Sequence, residues 1–437
     1  MRTHPPATNR ARVSRARFSE TRWVRYPGTC LDIGFLDADA VEQALGRALK
    51  GWLPGPAPEP AQEPALAGAA PAMPRANDAT PAIARVARMD DGYATHSSYL
   101  DAALQGLGVA GAACAVIADL SQAYYDARPG CIALHCGAFR YRGRLFAMTG
   151  PARAGKSTLT ARLAAEPDFE IFCDDVLPVL PDGQATALGI APRLRLPLPP
   201  DSAGQFRHYV DRHLGPRDAR YGYLCAPSVV AHGLQSPLAG LLILDRRADG
   251  PARLHSVTED EALRALLLQN MADLDTAEIA LRRMTDLVRG MTCLRLVYSD
   301  IEDAAHLIRR AFESGATMPQ DILIGPALSP RNDAAPSHRQ PEVDPETCWQ
   351  RDPDVMLQSS GDAAFLWKPG RQQLWHLNPL AAAIWTMLEL PGSATELGAV
   401  LSDEFPDQPA ATIVADVTAL LAALARAGMI HAARARA

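Results

Sequence analysis

The sequence predicts an α/β domain organised around a phosphate-binding loop (P-loop), followed by a small α+β, winged-helix-like unit made of a β-hairpin and three helices. Three observations carry this. Gly150 to Thr158 reads GPARAGKST, which satisfies G-x-x-x-x-G-K-[ST] between a strand pattern and a helix pattern. Residues from about 84 to 313 alternate short β-like runs with helical ones, as α/β domains do. Residues 355 to 437 begin with a hairpin pattern and continue with three helical ones.

Composition narrows the classes before any motif is used. The chain has 437 residues, 48% of them hydrophobic, and a net charge of -6. That length suits two or three domains with real cores. The hydrophobic fraction is too high for a disordered chain, and the mild acidity argues against a nucleic-acid binder, which would carry a concentrated basic face. No apolar run reaches the roughly 20 residues that span a bilayer. The basic tail, residues 1 to 20, lacks an apolar stretch and does not read as a secretory signal. The eight cysteines form no C-x-x-C and no paired metal spacing, as expected of reduced thiols in a cytoplasmic protein. Only Lys50, Lys156 and Lys368 are lysines among 43 basic residues. Where the chain uses arginine almost everywhere, Lys156 in the loop is an exception with a chemical reason.

Two segments break the globular pattern. Residues 54 to 81 are dominated by Pro and Ala and read as a disordered insert. Residues 314 to 354 are Pro-rich and aperiodic and read as a linker. The expected organisation is a disordered tail (1 to 20), an α/β domain (21 to 313) interrupted by the insert, the linker, and a separate module (355 to 437). Residues 21 to 52 look like a strand pair and a short helix of the same α/β domain.

Each residue of the loop has a task. Gly150 and Gly155 let the backbone curl so that the N–H groups of Pro151-Ala152-Arg153-Ala154 and the following helix turn face phosphate oxygens, although Pro151 itself has no N–H to give. Lys156 brings a point charge to the β and γ phosphates, and the Ser157 hydroxyl, with Thr158 beside it, is placed to ligate Mg²⁺. Arg153 sits where small residues are usual, so its backbone has either φ < 0 or some strain.

Downstream, EIFCDDVLPVL sets Asp174 and Asp175 at the end of a strand. Alternation turns two adjacent carboxylates in different directions, one toward a metal and one toward an acceptor. A carboxylate crowded by its neighbour has a raised pKa, which suits a general base. The alternative is an Asp pair capping a turn. Upstream, Ile132 to Arg140 and Leu145 to Thr149 read as a hairpin turning at Arg142-Gly143. It contains His135, either a structural strand residue or a group carried to the mouth of the loop.

LHCGA, GPARAGKST and CDDV, in this order, resemble the HPr kinase/phosphorylase family and its kinase-like relatives. The resemblance implies catalytic roles for His135, Lys156 and Asp175, a metal-binding role for Ser157 with Asp174 near the metal, and ATP and Mg²⁺ as cofactors. It also allows a homo-oligomer. The chain departs from that family in having no later acidic metal ligand near APRLRLPLPP. This argues against HPr as substrate and against the phosphorylase reaction. Arg193, Arg195, Arg217 and Arg220 are the candidates for contacting the transferring phosphate.

In the C-terminal unit, Phe365 and Trp367 alternate in a strand, Pro369-Gly370 turns, and Leu374 to Leu377 returns. Asn378-Pro379 opens a helix, Ser393 and Glu396 form a capping box for a second, and a third runs from about Ala411 to Gly428. That third helix has almost no basic residue, which argues against a winged-helix DNA reader. The order of these signals resembles the PqqD family, the recognition element for leader peptides of ribosomally made, modified peptides. The resemblance implies that a leader adds a strand along Gln372, Gln373, Leu374, Trp375, His376 and Leu377 and packs against Asp416 and Leu420 of the third helix.

The two resemblances together imply a cytoplasmic, ATP-dependent serine peptide kinase, similar to the tailoring kinases found with lasso peptides, which act on a C-terminal Ser. Its partners would be a precursor peptide and other maturation enzymes, with no nucleic acid and no membrane. The alternatives are a non-catalytic nucleotide-binding scaffold that delivers the precursor, and a small-molecule kinase.

Overall fold

The computed structural model describes residues 21–59, 81–199, 202–315, 319, 322–328 and 343–433. The expected tail, most of the insert and much of the linker lie outside the described residues. The chain forms two compact units. One holds Met1–Arg253, Gln269–Ala272 and Leu296–Leu323, the other Leu254–Leu268, Asp273–Arg295 and Ile324–Ala437.

The first unit begins with a six-stranded sheet. Its elements are β1 (Arg22–Arg25), β2 (Leu31–Leu36), α1 (Asp39–Ala48), β3 (Gly55–Pro56), β4 (Ala82–Met89), β5 (Gly92–Ser97), β6 (Leu104–Leu107) and α2 (Val109–Asp126), with strand order β3-β1-β2-β4-β5-β6. β2 and β4 pair in parallel, Leu31 opposite Ala82. Parallel neighbours need a crossover, and α1 lies in it. Ile33, Phe35 and Val86 of the sheet and Val41, Leu45, Val116 and Leu120 of the two helices share one core. The insert does not begin at 54 as expected, because Gly55 and Pro56 pair with Arg25 and Val24.

A second sheet positions the loop. Its elements are β7 (Ile132–His135), β8 (Gly137–Tyr141), β9 (Arg144–Thr149), α3 (Lys156–Ala164), β10 (Phe169–Cys173), β11 (Val176–Val179), β12 (Gln184–Thr186), β13 (Arg193–Arg195), α4 (Gly204–His213), β14 (Leu214–Arg217), β15 (Tyr221–Leu224) and β16 (Gln235–Arg246). The order is β10-β8-β9-β16-β12-β11-β7, while β13, β15 and β14 form a small sheet of their own. β8 and β9 are joined by Arg142-Gly143, both with positive φ (50° and 76°), the backbone of a tight hairpin turn. β9 is almost wholly buried and pairs in parallel with β16, so the chain leaving β9 is delivered to the end of the sheet where such folds bind ligands.

The expected single strand from Ile132 to Arg140 is instead two strands broken at Cys136. β7 pairs with β11 and β8 with β10, and at the break Cys136 N–H donates to the Asp175 carbonyl at 3.1 Å.

Further along are β17 (Arg253–Ser256), α5 (Glu259–Gln269), α6 (Ala277–Arg289), β18 (Thr292–Tyr298), α7 (Ile301–Phe312), β19 (Ile324–Gly325), β20 (Trp349–Arg351), β21 (Met356–Ser360), β22 (Ala363–Trp367), β23 (Leu374–Leu377), α8 (Pro379–Met387), α9 (Ala394–Glu404), α10 (Ala410–Arg426) and β24 (Ile430–Ala432). The expected hairpin is the second half of a three-stranded sheet, β21-β22-β23. One face packs Ala364, Leu366 and Leu377 against Ile384, Leu397, Val417, Leu421 and Leu424 of the three helices. The caps are as expected: Asn378 Oδ1 accepts from Ala381 N–H at 2.9 Å, and Ser393 and Glu396 make a reciprocal capping box.

The second unit departs from the expected boundaries, because α6 and nearly all of α5 belong to it. The reason lies on the other sheet face, which carries Gln358, Phe365 and His376 in register. Gln358 donates to Thr285 Oγ1 of α6 at 3.1 Å, His376 Nε2 lies 3.2 Å from Asp260 Oδ2 of α5, and Phe365 is fully buried. The segment expected to be a linker also contributes strands: β19 pairs with β17, and β20 with β24. Covering Phe365 makes a measurable prediction. Phe365→Ala is expected to destabilise the second unit by about 3–5 kcal/mol in urea unfolding. An uncovered face would give a nearly neutral substitution.

Candidate functional site

The candidate site is built by the chain reversals around residues 150–158. Gly150 would clash with the Leu244 carbonyl of β16 if it carried a Cβ, and at Gly155 (φ 92°) a Cβ would run into the Tyr298 hydroxyl. Tyr298 is buried and donates its hydroxyl hydrogen to the Ala154 carbonyl at 2.6 Å. It props the loop from below, a role nothing in the sequence signals. Arg153 adopts φ 67°, so of its two expected options the strained one holds, at a cost of about 1–2 kcal/mol. Gly155 is the N-cap of α3, so the first-turn N–H groups of Lys156, Ser157 and Thr158 point toward the loop without helical partners. Lys156 folds back, donating from Nζ to the Gly150 carbonyl at 3.1 Å. Burial lowers its pKa, while Asp175 and Asp174 oppose that.

The break at Cys136 sets the acidic side of the site. It falls opposite the bend between β10 and β11, where Asp174 turns inward, 7% exposed, and Asp175 turns outward. Asp174 Oδ2 accepts from Arg193 N–H at 3.0 Å. Burial raises its pKa to about 6, against the pull of Arg193 N–H and the Ser157 hydroxyl. Asp174 Oδ1 is buried without a hydrogen-bond partner. Asp175 Oδ1 lies 3.2 Å from His135 Nε2, and that hydrogen bond holds the Asp175 pKa below its ordinary value.

The structure therefore brings His135, Lys156, Ser157, Asp174 and Asp175 together from three separate segments. One expectation is inverted: the raised carboxylate is Asp174, because it is the buried one, and Asp175 is kept ionised by His135. Of the four arginines, Arg193 lies at the carboxylates, while Arg195, Arg217 and Arg220 are exposed. Sequence reasoning missed the Arg193 main-chain contact, which depends on the 191–195 segment folding back onto Asp174.

The donor set fits Mg²⁺. An unsatisfied Asp174 oxygen beside the Ser157 hydroxyl offers hard oxygen ligands, and among the described residues no cluster of three or more His, Cys, Asp or Glu could hold a metal on its own. A hydrated ion completed by phosphate oxygens suits such a site. The loop fits a nucleotide's phosphates for the reasons given above.

In the second unit, β23 is a sheet edge. Leu377 is buried, Leu374, Trp375 and His376 are half-buried, and Gln373 is exposed. Trp375 and Leu420 pack on the same core, and Asp416 is exposed on α10. Gln372 Nε2 donates to Asp273 Oδ1 at 2.6 Å, and His376 contacts Asp260. Both side chains are thus engaged within their own unit, while β23 remains a sheet edge as expected.

Comparison with known proteins bears on this unit most directly. Residues 363–430 match the family model described as Coenzyme PQQ synthesis protein D (PqqD). This segment is a PqqD domain. It covers β22 to α10 and ends at the first residue of β24, so β21 and the α5–α6 pair lie outside the match. No curated protein matches the chain. The solved structure titled "Structure of the Hpr(Ser) kinase/phosphatase from Coxiella burnetii" is similar at 12% identity over 42% of this chain and 99% of that one, with a TM-score of 0.19. At that TM-score the likeness bears no weight. Among the described residues no helix is long and apolar enough to cross a membrane.

The buried carboxylate gives a pH signature. A folded pKa above the unfolded value means that the folded state binds the proton more tightly, so this stability is present at low pH and lost as pH rises from about 4 through about 6. For a group so buried the loss is about 3 kcal/mol. Asp174→Asn is expected to lose less stability than the wild type between pH 4 and pH 7 in urea titrations. Parallel losses would contradict the assignment.

Proposed function

We propose that this chain is an ATP- and Mg²⁺-dependent kinase that transfers the γ-phosphoryl group to a serine hydroxyl of a ribosomally made precursor peptide, whose leader is held by the PqqD domain. The observation that carries the reading is the convergence of Lys156, Ser157, Asp174, Asp175 and His135 on the loop 150–158. ATP supplies the phosphoryl group, and Mg²⁺, held by Asp174 and Ser157, supplies charge neutralisation.

The remaining work falls to the protein. First-turn N–H groups of α3 and the Lys156 ammonium, once released from the Gly150 carbonyl, bind the phosphates. Asp175 accepts the hydrogen bond of the incoming hydroxyl and takes its proton. Its lowered pKa makes it a weak base, which suffices where little negative charge develops on the nucleophile before the phosphoryl group moves. His135 holds the Asp175 carboxylate in orientation through Nε2. The PqqD domain, tethered in the same chain, raises the local concentration of the acceptor segment once the leader is bound.

The test is mass spectrometry of a serine-containing precursor encoded beside the gene, incubated with full-length protein, ATP and Mg²⁺. A gain of about 80 Da, the mass of one phosphoryl group, is expected with the wild type and at least 100-fold slower formation with Asp175→Asn. Nucleotide binding without any phosphopeptide would contradict the kinase reading and favour a scaffold.

A further inference from the structure

Arg193 differs from the surface arginines around it. It is half-buried at the start of β13, its main chain is fixed by the bond to Asp174, and its guanidinium lies over the Tyr221 ring, 4.6 Å from the centroid. Among the described residues no carboxylate forms an ion pair with it. A cation taken partly out of water and held in no direct ion pair is a poor structural element and a ready site for an anion.

Its neighbours give the side of the site it serves. Lys156 feels Cys136, Asp175 and Asp174, beside the loop. Arg193 feels Cys114 of α2, Tyr223 and Tyr221 of β15, and Asp175. The two cations share Asp175 as a neighbour and otherwise have different surroundings. On the kinase reading Lys156 serves the nucleotide's phosphates, which leaves Arg193, its main chain tied to Asp174 next to Asp175, to the group that presents its hydroxyl to Asp175. A guanidinium stacked by one face on an aromatic ring still offers its edge as a two-pronged donor, the geometry that matches a carboxylate.

We propose that Arg193 is a specificity-determining residue that binds a carboxylate of the acceptor peptide next to the phosphorylated hydroxyl. The proposal rests on the kinase reading above for the hydroxyl. The carboxylate can come from the α-carboxylate of a terminal residue or from a neighbouring Asp or Glu side chain.

The probes are three short peptides: acetyl-Gly-Gly-Ser as free acid, the same peptide as amide, and acetyl-Gly-Asp-Ser as amide. Each is titrated by calorimetry into the full-length protein saturated with Mg²⁺ and a non-hydrolysable ATP analogue, and assayed with ATP. The wild type is expected to bind at least one of the two charged peptides about 10- to 100-fold more tightly than the neutral amide, and which one identifies the source. Arg193→Ala is expected to abolish that preference and to raise KM while leaving kcat within a few-fold, and Arg193→Lys to recover only part of it. Equal binding of charged and neutral peptides by the wild type, or binding of none, overturns the proposal. So does an equal fall in kcat for charged and neutral peptides in Arg193→Ala, or a loss of nucleotide affinity, either of which would place the guanidinium on the phosphates. Preference for a charged peptide without phosphoryl transfer would instead overturn the kinase reading and leave Arg193 as an acceptor-binding residue.

Discussion

The buried carboxylate of Asp174 is the constraint around which the candidate site of the first unit is arranged. A charged group 7% exposed is tolerated only where something answers it. Here one oxygen takes the Arg193 N–H and the Ser157 hydroxyl stands beside the group, so three segments remote in sequence are held at one point. Among the described residues the second oxygen has no hydrogen-bond partner. Unused acceptor capacity on a buried carboxylate suits a cation ligand better than a turn cap.

The break between β7 and β8 makes that arrangement possible. Had Ile132 to Tyr141 run as one continuous strand, pleating would have fixed His135 and its partners on alternate faces of one sheet. Passing from β11 to β10 as partner, the chain opens at Cys136, where its N–H donates to the Asp175 carbonyl and its own carbonyl accepts from the Cys173 thiol. His135 and Asp175 then meet side chain to side chain. The consequence is electrostatic: adjacent carboxylates acquire opposite shifts, Asp174 upward by burial and Asp175 downward by its imidazole partner. For Asp174, crowding by Asp175 is a lesser effect than burial.

Much of this was legible in the sequence, and the part that was not has physical causes. GPARAGKST carried its own context, because glycines at the curl and Lys-Ser at the helix start are demanded by local geometry. The caps Asn378 and Ser393 with Glu396 were legible for the same reason. Tyr298 and the Arg193 main chain were invisible: each acts through a single contact across more than 18 residues of chain, and neither needs an unusual residue type or spacing. The boundary of the second unit was misread because Phe365 and Trp367 look like one buried face of a hairpin, whereas the sheet is buried on both faces and its second face contacts α5 and α6 through Asp260 and Thr285. The Pro/Ala-rich composition near 55 hid a short strand because a two-residue edge pairing imposes almost no pattern.

That the loop and the Asp174 corner form one Mg²⁺-nucleotide site is the claim on which the functional reading stands. Its most direct measurement is calorimetric titration of full-length protein with a β,γ-imido analogue of ATP, with and without Mg²⁺. The account predicts one site per chain, tightened by Mg²⁺ and lost in Lys156→Ala. Absence of binding, or binding that survives that substitution unchanged, would contradict it.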